Sequence, residues 1–172
     1  MPRKAAPTPS PIDSPERRRL PPLLRRAWYG LNQAFRRRIA HLALTPDQYT
    51  VLRTLMENEG ITQRELAQLI SSDPNTVASL VSRMEQGALI ERETHEKDRR
   101  ANRLCVGRKG NARYRQARET AVALQGEILA VLPDAKREEF LAQLATVADA
   151  CRNAAGKSPD EANASRKRAP SR

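Results

Sequence analysis

Residues 73–87 read Asp73-Pro74-Asn75-Thr76-Val77-Ala78-Ser79-Leu80-Val81-Ser82-Arg83-Met84-Glu85-Gln86-Gly87, and this stretch decides the fold. Asp73 is a preferred helix cap, and Pro74 stands in the first turn, where its missing N–H costs nothing. Val77, Leu80, Val81 and Met84 then recur at i, i+3, i+4 and i+7, the stripe of an amphipathic helix, until Gly87 ends it. Just upstream, Thr62-Gln63-Arg64-Glu65 has the Thr-x-x-Glu form of a capping box and predicts a short helix through Ile70. Two capped helices separated by a few residues predict a helix-turn-helix.

Outward from this pair the periodicity changes. Ala88 to Glu93 reads as a strand and Asn102 to Val106 as its partner, with the charged stretch Thr94 to Ala101 between them. A helix-turn-helix followed by a two-stranded hairpin is the winged-helix arrangement. Upstream, Thr45-Pro46-Asp47-Gln48 is another capping box with Pro at the first helical position, opening a helix that Asn58-Glu59-Gly60 stops. Leu24, Ala27, Leu31, Ala34, Phe35 and Leu42 place one long helix over about 22–42. Tyr114, Ala117, Ala121, Leu124 and Ile128 predict another, and Pro133 begins a last one carrying Phe140, Leu141, Leu144, Val147 and Cys151. The expected fold is mainly α with a small β-hairpin: a winged helix-turn-helix lobe at 45–109 between helical regions at 20–44 and 110–156. The apolar stripes of those outer helices exceed what one thin lobe can cover, which predicts a homodimer joined through them.

The chain has 172 residues, the length of one domain, with 39% hydrophobic and only 3% aromatic residues, so its core must be aliphatic. Lys and Arg number 31 against 20 Asp and Glu, a net charge of +11, and the pI is near 10.6. Residues 20–44 carry five arginines and no acid, and residues 88–118 carry ten basic against four acidic side chains, so the folded part itself is basic. Such a charge points to a polyanionic partner. Residues 1–19, rich in proline, and the basic residues 157–172 cannot offset their ordering entropy by burial and are expected to be tails, either solvated or clinging loosely to DNA. No stretch approaches the ~18 apolar residues of a membrane span and no leader pattern is visible. Two cysteines cannot build a disulfide framework. A membrane protein, a secreted disulfide-rich domain and a large multidomain enzyme are excluded, and a cytoplasmic location is expected.

In a helix-turn-helix the second helix enters the DNA major groove. Once the apolar stripe is subtracted, Asn75, Thr76, Ser79, Ser82, Arg83 and Gln86 face outward. Asn pairs with adenine, Arg with guanine and hydroxyls with either, while a helix amide end favours a phosphate. Glu96-Lys97-Asp98-Arg99-Arg100 sits at the hairpin tip, where a projecting arginine suits a narrow minor groove. Each feature alone also fits a solvated polar surface. On one frame they point to double-stranded DNA.

From Leu44-Thr45-Pro46-Asp47-Gln48-Tyr49 to Gly110 the chain resembles the MarR family of bacterial transcription regulators. The resemblance is carried by Thr62-Gln63-Arg64-Glu65-Leu66-Ala67, by Thr76 through Arg92 and by Asp98-Arg99-Arg100-Ala101. It implies a homodimer with two winged-helix lobes, usually a repressor on a palindromic operator that a ligand or oxidant releases. It also implies that Arg100 or Arg99 enters the minor groove, oriented by Asp98. The candidate DNA contacts are thus Thr62, Gln63, Asp73, Pro74, Asn75, Thr76, Ser79, Arg83, Asp98, Arg99 and Arg100. The family's Leu-Thr-x-x-Gly is here Val106-Gly107-Arg108-Lys109-Gly110, with Gly107 at the helix-cap position, a mild substitution that puts local rigidity at the base of the wing in question.

An effector is expected in the crevice between outer helices and lobe. Trp28, Phe35, Arg36, Arg38 and His41 are the candidates, aromatics beside arginines suiting an aromatic acid or its CoA thioester. Ser72 to Thr76 together with His95 to Arg100 is similar to regulators of hydroxycinnamate breakdown. The competing reading makes Trp28 and Phe35 dimer core. Redox sensing falls to Cys105, whose neighbour Arg103 would lower its pKa, whereas Cys151 lies in line with Leu144 and Val147 as a core residue. Two histidines and two distant cysteines offer no metal-ligand spacing, and no nucleophile–base pair or phosphate loop is visible, so neither a metal, a cofactor nor an enzymatic activity is expected. The competing class is a non-specific, architectural nucleic-acid-binding protein.

Overall fold

The computed structural model describes residues 19–94 and 102–156. Helix α1 (Leu20–Ile39) runs on into a 3-10 turn (Ala40–Leu42), which left-handed Ala43 (φ 48°) closes. There follow α2 (Pro46–Glu57), β1 (Ile61–Thr62), α3 (Gln63–Leu69), α4 (Pro74–Gln86), β2 (Ile90–Thr94), β3 (Asn102–Val106), α5 (Arg108–Leu129) and α6 (Asp134–Ala155).

Local chemistry starts the helices where the caps stand. Thr45 accepts from the Gln48 amide while Gln48 accepts from the Thr45 N–H at 2.9 Å, a reciprocal box worth about 1 kcal/mol. Thr62 and Glu65 repeat it for α3. The ends depart from expectation. Gly87 has an ordinary φ of −80°, and it is Ala88 (φ 54°) that turns left-handed, so β2 starts at Ile90 and not at Ala88. Ser71 (φ 53°) makes the turn between α3 and α4 in the same way.

The sheet has three strands, not two. Its order is β1-β3-β2, both pairings antiparallel, with Ile61 opposite Leu104 and the hairpin in register from Ile90↔Val106 to Thr94↔Asn102. The stripe of α4 (Val77, Leu80, Val81, Met84) is wholly buried with Leu52, Leu66, Ile90 and Leu104 in one aliphatic core. Each such side chain contributes roughly 2 kcal/mol by leaving water. Phe35 meets Tyr49 edge-on (centroids 4.9 Å) and Tyr49 stacks on Tyr114 (5.7 Å), which joins α1, α2 and α5.

Gly107 caps α5 without a side-chain bond, as expected, and its N–H donates to the Leu89 carbonyl at 3.0 Å. A Cβ there would stand 3.0 Å from Glu91 and 3.1 Å from the Ala88 carbonyl, so the base of the wing is tightly filled. Helix α6 contributes no buried residue, and Cys151 on it is exposed, not the core residue expected. Large apolar side chains stay open on the outer helices, among them Leu20, Leu23, Leu31, Val122, Ile128, Phe140 and Leu144. Leu124, by contrast, lies inside the protomer.

Candidate nucleic-acid interface

The outward face of α4 is as polar as the sequence predicts. Asn75, Thr76, Ser79, Ser82, Arg83 and Gln86 are all exposed, opposite the four buried apolar residues. Arg83 lies back along the helix, its Nε donating to the Ser79 carbonyl at 3.2 Å, which leaves its terminal nitrogens free to reach outward.

The start of α4 needs a correction. Asp73 Oδ1 accepts from the amides of Asn75 (3.1 Å) and Thr76 (2.9 Å), so this amide end already holds a carboxylate. Hydrogen bonding from Thr76, by its side chain first and then its backbone, holds the Asp73 carboxyl below the usual range. An ionised carboxylate on those donors repels a phosphate, so the phosphate expected at this helix end does not fit. Asp73 acts as a cap, and Pro74 stands exposed beside it.

Thr62 is committed in the same way. Its hydroxyl donates to Glu65 Oε2 at 2.9 Å and accepts from the Glu65 amide, and its own N–H donates to that carboxylate at 2.7 Å. These bonds, the backbone one foremost, lower the Glu65 carboxyl pKa. Gln63 accepts from the guanidinium of Arg92 at 3.2 Å. The same guanidinium donates through Nε to Glu85 in the last turn of α4, at 2.9 Å. Lys109 donates to the Gly87 carbonyl at 3.0 Å, satisfying the end of α4 with a cation where the helix dipole favours one. Sequence reasoning passed over Arg92, Glu85 and Lys109, because each meets its partner across two different elements, where no period within one element applies. Asp98, Arg99 and Arg100 lie outside the described residues.

The surroundings of Cys105 raise its pKa and do not lower it as the sequence suggests. Burial raises its pKa, and Glu93, by hydrogen bond and charge, followed by Glu59 and Glu91, adds to the rise. Its expected helper Arg103 acts elsewhere, as a favourable charge for Glu65.

The five effector candidates differ in exposure and in partners. Phe35 is buried in the aromatic stack, Trp28 is 63% exposed, and Arg38 pairs with Glu127 at 2.7 Å. Arg36 and His41 are exposed. A cleft of about 600 Å³ opens between α6, the α3–α4 turn and α1, lined by Leu24, Ala67, Gln68, Ser71, Ser72, Leu144, Val147, Ala148, Cys151, Arg152 and Ala155, none of them among those five. Among the described residues no group of three or more His, Cys, Asp or Glu is placed to hold a metal, and no helix is long and apolar enough to cross a membrane.

Fold and interface together define a winged helix-turn-helix protein. Residues 44–101 match the model of the MarR family. Over 90 residues it is 33% identical to the HTH-type transcriptional regulator YybA of Bacillus subtilis (strain 168), covering 49% of this chain but only 60% of YybA. Over 127 residues it is 28% identical to the transcriptional regulator HosA of Escherichia coli O157:H7, covering 71% of this chain and 93% of HosA. The transcriptional repressor CouR, solved on a 23-mer DNA duplex, matches with a TM-score of 0.67 and 29% identity, covering 73% of this chain and 89% of CouR. CouR from Rhodococcus jostii RHA1, bound to p-coumaroyl-CoA, matches with a TM-score of 0.66 and 25% identity over the same shares.

Proposed function

We propose that the protein is a sequence-specific DNA-binding transcriptional regulator, a homodimeric repressor on a palindromic operator, and not an enzyme. One observation carries this reading: the exposed face of α4 is made of base-reading side chains, on a helix whose other face is anchored in the core. The structure of CouR on DNA supports it. The open apolar residues of α1, α5 and α6 support a dimer, as does charge. Residues 20–44 carry five arginines and no acid, whereas residues 119–156 carry six acidic against three basic side chains.

The effector reading is a small aromatic acid or its CoA thioester, the latter being what CouR holds. The cleft beside α6 is the better seat for it, because an occupant there touches Ser71 and Ser72, directly ahead of the Asp73 cap. Such a ligand releases DNA only if it binds the DNA-free conformation more tightly.

Selection from a random duplex library, followed by anisotropy titration at physiological salt, tests the core of the reading. A two-fold-symmetric site should be bound ~10³-fold or more tightly than a scrambled duplex. Asn75→Ala and Thr76→Ala should relax that preference. A ratio near one would leave the architectural reading, driven by charge alone. Adding p-coumaroyl-CoA or p-coumarate to the complex tests the effector.

A further inference from the structure

We propose that Arg92 is the positioning residue that holds the wing at a fixed angle to the recognition helix. The inference rests on the DNA-reading function proposed above. One guanidinium on β2 bonds two other elements: Nε to Glu85 at the end of α4 (2.9 Å), and a terminal nitrogen to Gln63 at the start of α3 (3.2 Å). The partners stand 7 and 29 positions away in the chain. The Arg92 and Glu85 side chains are each about one-third exposed, which shields their pair better than an open surface would.

The register explains the direction of the arm. Arg92 lies opposite Leu104, and alternation puts it on the face that carries Ile90 and Leu104, both buried. Its stem therefore leaves the margin of the core toward α3 and α4. The backbone ladder holds β2 to β3 and, through β1, ties the β3 edge to the start of α3; the β2 edge has no such backbone tie to α3, and there the guanidinium makes the bridge. Two residues along a strand is ~7 Å, so a ~10° rotation at Arg92 moves the chain by about 1 Å at Thr94. That is enough to spoil a hydrogen bond. The planar, two-pronged Arg92 also decides the polarity of Gln63. Arg has donors only, so Gln63 must turn its carbonyl oxygen inward, which leaves its NH2 as the free end.

Duplex selection with the full chain tests this. Wild type and Arg92→Ala should select the same central half-site bases. Arg92→Ala should lose preference at the flanking positions and bind the wild-type site roughly ten-fold more weakly. Glu85→Arg alone should behave likewise, and Glu85→Arg combined with Arg92→Glu should restore the flanking preference. Arg92→Lys, which keeps the charge without the fork, should fall between wild type and Arg92→Ala. Unchanged flanking preference in Arg92→Ala overturns the proposal, as does a charge swap that recovers nothing. A merely stabilising role would lower the melting temperature with the motif intact, and that result also overturns it. If wild type selects no motif, the proposed function falls and this inference with it.

Discussion

Gly110 sits in the first turn of α5, where that helix crosses the carbonyl of Leu89. A Cβ on Gly110 would stand 2.0 Å from the Leu89 oxygen, 2.9 Å from its carbon and 3.0 Å from Cδ2 of Leu52. The first two are backbone atoms, so Gly110→Ala must push the helix start off the strand. Overpacking of this kind costs up to ~3 kcal/mol. The shift also breaks the 3.0 Å bond from Gly107 to that carbonyl, about 1 kcal/mol more, while the better helix propensity of alanine returns ~1. The net loss is up to about 3 kcal/mol, a fall in Tm of as much as roughly 6–12 °C for a chain of this size. Gly126 is the internal control: it lies in the same helix with nothing within 4 Å of its would-be Cβ. Gly126→Ala should raise Tm by a few degrees, since only propensity acts. Far-UV circular dichroism melts at one fixed protein concentration read both. A Gly110→Ala protein as stable as wild type would refute the close-approach argument.

Acid should weaken the protein through its caps. Asp73 and Glu65 have folded pKa values below their ordinary 3.8 and 4.5, so the stability they lend is present above those values. It is lost as pH falls through the lower folded ones, and melts from about pH 6 to about pH 3 should show a shallower acid limb in Asp73→Asn/Glu65→Gln. Cys105 should react with a disulfide probe at about pH 7 more slowly than Cys151, because its raised pKa leaves little thiolate. Leu144→Glu or Phe140→Glu should give folded monomers by light scattering, since α6 buries nothing within the protomer. Leu124→Glu should unfold the chain instead, its side chain being 2% exposed.

What the sequence made legible was local. The boxes at Thr45–Gln48 and Thr62–Glu65, Pro74 after Asp73, and the stripe from Val77 to Met84 each act within one or two helical turns, so their chemistry is written in consecutive residues. Strand β1 escaped because it is two residues long and exists only by pairing with Leu104 and Arg103, some forty positions away. Gly87 ends α4 where the sequence places the stop, yet it is Ala88 that turns left-handed, a conformation for which glycine is the commoner choice. Cys151 keeps helical spacing with Leu144 and Val147, but a period shows only that residues share a face, not that anything covers it. Trp28 and Phe35 are a like case: Phe35 finds Tyr49, whereas Trp28 stays open.

Thr62 belongs to two elements at once. It is the last residue of β1, paired with Arg103 in the wing, and it is also the cap of α3. The wing is thereby laced by backbone bonds, at its β3 edge, to the very first turn of the helix-turn-helix, and Arg92 ties its β2 edge to α3 and α4, so that together they leave no free joint for a hinge to work. Each reading lobe then behaves like a key cut from one blank. A signal reaching it through the long helices has no means of refiling the teeth. What remains free is how far apart, and at what angle, two such keys are presented to the same lock.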